Sequence, residues 1–173
     1  MIEERAKKIK LLILDVDGVL TDSSIIYDNF GDELKCFNVY DGFGMTLLNR
    51  SGIKSIIITA KKTKVVMRRA KDMHVAKVYS DYRKLKAYED AIKRFRVKDE
   101  EVCFMGDDLI DLAVLKRVGL SVAPPEAVTE VKNACHYITQ KSGGKGAARE
   151  LIEIILRSQG LWDKVTSVYS QTT

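Results

Sequence analysis

Acidic residues in two short clusters carry the chemistry this chain is best equipped to do. The first, Asp15-Val16-Asp17-Gly18-Val19-Leu20-Thr21-Asp22, directly follows the apolar run Ile9 to Leu14. In an extended chain, residues two apart project to the same side, so Asp15 and Asp17 can address one substrate. Gly18 then lets the backbone turn away. The second cluster, Gly106-Asp107-Asp108-Leu109-Ile110-Asp111, follows the apolar run Val102 to Met105. Acids converging at one rim repel each other unless a cation sits among them, and oxygen-only ligands with open positions suit Mg²⁺. Asp107 is expected to serve that metal. Asp108 and Asp111 each have two readings, as site residues and as helix N-caps. A calcium loop does not fit, because the glycine comes too early after Asp15 and a strand rather than a helix precedes it.

An anion bound beside those acids needs donors to cancel charge. Thr59, which closes the apolar run Ile53 to Ile58, and Lys84, just before a helical pattern that begins near Leu85, are the candidates. Lys86 is close enough to compete with Lys84, and Thr59 has an alternative reading as a cap. The loop Ser142-Gly143-Gly144-Lys145-Gly146 lacks the spacing of a Walker loop, and reads as a tight connection before the last helix or as an edge of the substrate site. Lys61, Lys62, Lys64, Arg68 and Arg69 form a basic run without interleaved aromatics. Solvated helix faces and a small anionic substrate explain it better than a nucleic acid does. Cys36 and Cys103 read as packing residues in apolar strands. His74 and His136 have no partners nearby in sequence and receive no role.

Those residues need a scaffold that brings separate strand ends together. Short apolar runs recur at Ile53 to Ile58, Val78 to Tyr79, Val102 to Met105, Leu120 to Ala123 and Tyr137 to Ile138, as in a parallel sheet covered on both faces. Helical periods lie between them, at Leu85, Tyr88, Ile92 and Phe95, and later at Leu151, Ile152, Ile155 and Leu156. Asp41 and Thr63 read as helix N-caps, Gly52 and Gly119 as helix stops. The alternation predicts an α/β fold, a Rossmann-like, doubly wound, mostly parallel sheet whose ligands bind at the carboxyl ends of its strands. Ser24 to Tyr27 and Leu34 to Val39, on either side of Asp28-Asn29-Phe30-Gly31-Asp32, read as a protruding β-hairpin.

From Asp17 to Thr59 is 42 residues, used by the hairpin and a helix over Phe43 to Ser51, and from Thr59 to Lys84 is 25, used by one helix and a short strand. Neither interval holds a cap domain, so a lone subunit has an open site and chemistry that needs a dry lid, such as hexose phosphate mutation, is disfavoured. The chain reads as one domain over residues 1–160 with a C-terminal tail over 161–173. With 173 residues, 46% apolar and 31% charged, and a net charge of +5, it has enough apolar material for a core and is not a disordered protein. No stretch has the length of a membrane span, and the opening MIEERAKKIK is too charged for a signal peptide. Three scattered cysteines without a C-x-x-C pair argue against a disulfide framework or zinc site and point to a reducing cytoplasm.

D-x-D-G at the first strand, Thr at the second, a lysine before the last site and G-D-D-x-x-D together resemble the signature of the haloacid dehalogenase superfamily of phosphohydrolases, in its capless branch. The similarity spans nearly the whole chain, through DVDGVLTD, the hairpin, NVYDGFGM, SDYRKLKAYE, GDDLIDL and GGKGAARE. The resemblance implies a Mg²⁺-dependent phosphomonoesterase working through an aspartyl phosphate. It makes Asp15 the nucleophile and Asp17 the general acid and base. It puts Mg²⁺ on the carboxylates of Asp15 and Asp107 and the backbone carbonyl of Asp17, the phosphoryl oxygens on Thr59 and Lys84, and Asp108 and Asp111 behind them as orienting groups. The implied substrate is a sugar-acid phosphate, 3-deoxy-D-manno-octulosonate 8-phosphate, used in lipopolysaccharide biosynthesis, with a nine-carbon sialic-type acid 9-phosphate as the alternative. The implied assembly is a homotetramer whose hairpins pack together and whose tails reach neighbouring sites. The alternative is a tail that folds back on its own subunit.

One feature departs from the family pattern. Relatives carry Thr-Gly-Arg or Ser-Gly-Arg after the second strand, whereas Thr59 is followed here by Ala60-Lys61-Lys62. Lys61 is then the candidate for binding the substrate's far end, as a point charge in place of a planar two-point fork. The rival class is a non-catalytic phospho-acceptor domain of the receiver type, which also combines acids, a Thr and a Lys on a doubly wound sheet. Receivers have adjacent acids at the first strand instead of D-x-D, and Asp17 supplies the second carboxylate that turnover needs.

Overall fold

The structure, a computed structural model, describes residues 1–170. In chain order its elements are α1 (Ile2–Ala6), β1 (Leu11–Leu14), β2 (Ile26–Tyr27), β3 (Glu33–Leu34), α2 (Val39–Ser51), β4 (Lys54–Thr59), α3 (Lys64–Asp72) and β5 (Lys77–Ser80). There follow α4 (Lys84–Phe95), β6 (Val102–Met105), α5 (Leu112–Leu115), β7 (Leu120–Ala123), α6 (Thr129–Ala134), β8 (Tyr137–Ile138), α7 (Ala147–Ser158) and α8 (Trp162–Thr166). Six strands form one sheet in the order β5-β4-β1-β6-β7-β8, and every pairing is parallel. The chain winds outward from β1 first to one edge and then to the other. A crevice opens where the winding reverses, at the carboxyl end of β1, and such a switch point is where doubly wound sheets hold ligands.

Alternation along the strands splits the core into two layers. Leu12 and Leu14 of β1, with Cys103 and Met105 of β6, pack against α2, α3 and α7. Leu11, Ile13, Val102 and Phe104 pack on the other face against α4, α5 and α6. Every residue of β1, β6 and β7 is buried, which explains why these strands read as unbroken apolar runs. Helix α7 buries the expected Leu151, Ile152, Ile155 and Leu156. It crosses α2 closely at Gly44, where a Cβ would stand 3.2 Å from Ile152 Cδ1.

Several expectations about element ends are corrected. The hairpin is short, with β2 and β3 joined by two residue pairs, Ile26–Leu34 and Tyr27–Glu33. Its second strand does not run to Val39, because the Asn38 side chain accepts hydrogen bonds from Tyr40 N and Asp41 N and starts α2 at Val39. Cys36 therefore lies outside any strand and is exposed, while Cys103 is buried as expected. Asp41 does not cap its own helix. It is buried in the first turn, where Oδ1 accepts from Arg149 N at 2.8 Å and so caps α7 instead. Gly119 is not a helix stop but a close approach, since a Cβ there would stand 2.4 Å from Glu100 O. Thr63 does cap α3, through Val66 N, and Gly52 closes α2 at φ +92°.

The C-terminal segment, expected to leave its subunit, folds back on it over residues 161–170. Val165 is buried, Trp162 takes the Arg157 guanidinium 4.2 Å from its ring centre, and Tyr169 meets Phe43 edge-on at 5.3 Å. Residues 171–173 of that expected tail lie outside the described residues. Among the described residues no helix is long and apolar enough to cross a membrane.

The α2–α7 crossing gives a direct test of the core. Ile152→Ala removes a fully buried side chain at the crossing, and urea unfolding should show a loss of about 2–5 kcal/mol.

Candidate active site

Strand parity places the first acid. Leu11 and Ile13 face the α4 layer, so Asp15, one step beyond the end of β1, leans to the same side. Helix α4 begins there with Lys84, whose side chain is wholly inaccessible. Its Nζ stands 2.9 Å from Asp15 Oδ2 and 2.6 Å from Asp111 Oδ1. Lys86 is exposed, so of the two lysines it is Lys84 that meets the acids. Burial opposes the Lys84 charge, but the two carboxylates outweigh it and hold the ammonium above its ordinary range.

The second acid cluster is fastened by its last member. Asp111 Oδ2 accepts from Asp107 N at 3.0 Å and Asp108 N at 3.2 Å, while Oδ1 takes Lys84. Asp111 is thus not a side-chain cap for α5; it ties the loop of the second cluster to α4. Asp108 does cap, accepting from Leu109 N at 2.7 Å, and it is exposed at the cleft edge. Asp107 lies against Gly18, where a Cβ would fall 1.9 Å from Asp107 Oδ2, and the backbone has φ +83°. Only glycine satisfies both conditions. Gly143 presses on the same turn from the other side, with a Cβ position 1.8 Å from Gly18 O, and Gly144 N donates to Val19 O at 3.0 Å. The glycine-rich loop is therefore the tight connection before α7, and it also buttresses the Asp15–Asp17 loop.

Asp15, Asp17, Thr59, Lys61, Asp107 and Asp108 line a cleft of about 240 Å³ at the carboxyl end of the sheet. Thr59 is buried, with its hydroxyl turned toward Lys61 O at 3.3 Å, and Asp17 remains 43% exposed. Lys61 does not reach freely into the cleft, because its Nζ is 2.6 Å from Glu33 of the hairpin. Lys35 and Glu33, both in this region, escaped sequence reasoning. Lys35 Nζ lies 2.5 Å from Asp17 Oδ1 and 2.6 Å from Glu33 Oε1, with 2% of its side chain exposed. Lys35 is the lone basic residue of an otherwise acidic hairpin, and nothing in that pattern pointed to Asp17. Arg69, read as part of a basic run, donates to Asn38 O at 2.7 Å and packs on Phe37, so it belongs to the fold.

The charge balance of the cleft fits a divalent cation. Carboxylate oxygens of Asp15, Asp107 and Asp111 lie within 4.8 Å of one another, facing one buried ammonium. Burial pushes the Asp15 carboxyl up to about 7 despite the pull of Lys84, and burial with the neighbouring Asp15 and Asp111 pushes Asp107 up to about 7. Asp107 Oδ1 is buried without a hydrogen-bond partner. An all-oxygen set of this kind suits a hard cation such as Mg²⁺. Both oxygens of Asp111 are engaged by Lys84 and the loop N–H groups, which leaves the oxygens of Asp107 as the less committed ones in the set.

Removing the ammonium alone should expose the cost of crowding those acids. Lys84→Met leaves Asp15 and Asp111 buried without their cation, and chelator-treated protein should lose about 3–5 kcal/mol in urea unfolding. The double variant Lys84→Met/Asp111→Asn should regain part of that loss.

Comparison with known proteins bears on this geometry. Residues 39–151 match the family model described as haloacid dehalogenase-like hydrolase. The chain is 42% identical over 161 residues to the 3-deoxy-D-manno-octulosonate 8-phosphate phosphatase KdsC of Escherichia coli K12, covering 92% of this chain and 86% of that one. Among solved structures, a probable YrbI family phosphatase from Pseudomonas syringae pv. phaseolica 1448a superposes with a TM-score of 0.97 at 40% identity, over 99% of this chain and 98% of that one. The 3-deoxy-D-manno-octulosonate 8-phosphate phosphatase of Moraxella catarrhalis, in complex with magnesium ion, phosphate ion and KDO, superposes with a TM-score of 0.94 at 37% identity, over 97% of each chain. With that likeness along almost its full length, and with two acid clusters meeting at one switch point, the chain belongs to the haloacid dehalogenase-like hydrolase family.

Proposed function

We propose that this protein is a Mg²⁺-dependent phosphomonoesterase that hydrolyses 3-deoxy-D-manno-octulosonate 8-phosphate to the free sugar acid and phosphate. The observation that carries the reading is Asp15 at the end of β1, held by Lys84 and facing the same cleft as Asp17 and Asp107. Relatives at about this level of identity over most of the chain bear the name of that activity.

A carboxylate oxygen of Asp15 attacks phosphorus as the bond to the sugar oxygen breaks, and the departing oxygen takes a proton from Asp17. The Asp17 carboxylate then draws a proton from water, which attacks the aspartyl phosphate and releases inorganic phosphate with Asp15 restored. Lys84 spends two of its three N–H donors on Asp15 and Asp111, and the third serves a phosphoryl oxygen beside Thr59. The carboxylates of Asp15 and Asp107 and the backbone carbonyl of Asp17 would hold Mg²⁺, which would supply positive charge to offset the crowded carboxylate and phosphoryl oxygens. Asp111 and Asp108 keep the loop that presents Asp107 in place. Lys61 stands at the rim where the sugar acid's far end would lie, and its pairing with Glu33 makes a carboxylate substrate compete for it.

The same reading includes a homotetramer assembled through the hairpin. Its support is the apolar surface that the hairpin carries outward, with Ile25 61%, Tyr27 62% and Phe30 93% exposed. It also includes a domain over residues 1–160 and residence in a reducing cytoplasm, which suits its free cysteines.

Phosphate release from a panel of sugar-acid phosphates, hexose phosphates and nucleotides tests the activity. Turnover should favour 3-deoxy-D-manno-octulosonate 8-phosphate over the nine-carbon acid 9-phosphate, vanish in excess chelator and return with Mg²⁺. Asp15→Asn should be folded and inactive, because an amide is too poor a nucleophile to form the acyl phosphate. Light scattering should give about four times the 19.5 kDa chain mass. A monomer in that measurement would remove the assembly and leave the chemistry standing.

A further inference from the structure

The hairpin does more at the cleft than present an apolar edge. Lys35, just past β3, turns inward and buries its side chain to 2% exposure, an unusual position for a lysine on a protruding element. Its ammonium touches two carboxylates, Asp17 Oδ1 at 2.5 Å and Glu33 Oε1 at 2.6 Å. The second oxygen of Glu33 takes Lys61 at 2.6 Å. Charges therefore alternate from the rim inward as Lys61, Glu33, Lys35 and Asp17. Glu33 is itself 10% exposed, so the central pair is shielded from water and screened little by salt. Asp17 makes no comparably short contact from its own loop, since Thr21 Oγ1 is 3.5 Å from Oδ1. Without Lys35, the half-exposed Asp17 carboxylate would be free to rotate.

We infer that Lys35 is a positioning residue for Asp17, anchoring one carboxylate oxygen so that the other faces the leaving group, and that Glu33 holds Lys35 in that place. This deepens the phosphomonoesterase reading and rests on the acid–base role given there to Asp17. Lys35 does not touch the reacting atoms. It acts through Asp17, and the strand pair Tyr27–Glu33 delivers it. The hairpin thus becomes a component of the catalytic machinery within a single subunit, whatever the assembly.

A positioning role predicts a dependence on leaving group that a general loss of structure would not produce. The sugar-acid phosphate releases an alkoxide that needs a proton, whereas 4-nitrophenyl phosphate releases a phenolate that does not. Single-turnover release of the leaving group, with Mg²⁺ saturating, isolates the first step. Lys35→Met should slow that step about 10- to 100-fold with the sugar-acid phosphate and change it less than about 3-fold with 4-nitrophenyl phosphate. Glu33→Gln should move in the same direction by less, and Lys35→Arg should restore part of the loss. KM for the sugar-acid phosphate should change far less than kcat. Equal slowing of both substrates, or no slowing of either, overturns the proposal. Asp17→Asn separates the two layers of the argument. If it shows the leaving-group dependence and Lys35→Met does not, the positioning role falls alone; if it does not show it, the acid–base reading falls and the positioning role with it. Should Lys35→Met fail to fold, Lys35→Arg and Glu33→Gln are judged by the same ratio.

Discussion

One buried ammonium among carboxylates is the constraint around which this molecule is arranged. Lys84 reaches Asp15 from one side and Asp111 from the other, and each of those acids belongs to a different strand end. Breaking such a contact leaves a charge stranded away from water, which is far costlier than losing a surface pair. The start of α4, the end of β1 and the loop after β6 are consequently locked at one point. Asp111 extends the lock by accepting two backbone N–H groups from the loop, so the direction of Asp107 follows from the same contact. What the lock leaves unsatisfied is also informative. Asp107 keeps a buried oxygen without a partner, and the excess of negative charge has no remedy from the described side chains. A divalent cation supplies it.

The glycines around this lock are required by distance rather than by flexibility. Gly18 and Gly143 bring two stretches of backbone together with the Asp107 carboxylate packed beside them, and at both positions a Cβ would meet an oxygen at under 2 Å. That close approach leaves no room for a side chain at either position. The cleft beside it is lined by Asp15, Asp17, Asp107 and Asp108, with Thr59, Ala60 and Lys61 from the end of β4 and the loop after it.

Much of this was legible in the sequence, for definable reasons. Strands β6 and β7 coincide with their apolar runs because central parallel strands are buried on both faces. Asp15, Asp17 and Asp107 stood out because acids at strand ends have no structural explanation of their own. Where local signals competed, the reading failed. Leu34 to Val39 has strand composition, yet the Asn38 side chain captures two backbone donors and begins a helix. Asp41 has the composition of a cap and is one, but for α7, whose Arg149 lies 108 positions away. The roles of Lys35 and Glu33 were invisible for the same reason. Their contacts are made across the fold by residues whose neighbours in sequence look like an ordinary charged hairpin.

The strand that ends at Asp15 is the first strand of the chain and lies in the middle of the sheet. Both of its neighbours are made later: Leu14 pairs with Ile57 on one side and with Met105 on the other. Such long-range parallel pairing forms slowly and only after the intervening chain exists. During synthesis, therefore, Asp15 leaves the ribosome well before Lys84 or Asp111, and the buttress at Gly143 follows later still. An incomplete chain carries the Asp15 carboxylate without the ammonium that holds it. The cleft is complete only once the last quarter of the polypeptide, with Gly143 and Gly144, has been added behind the Gly18 turn.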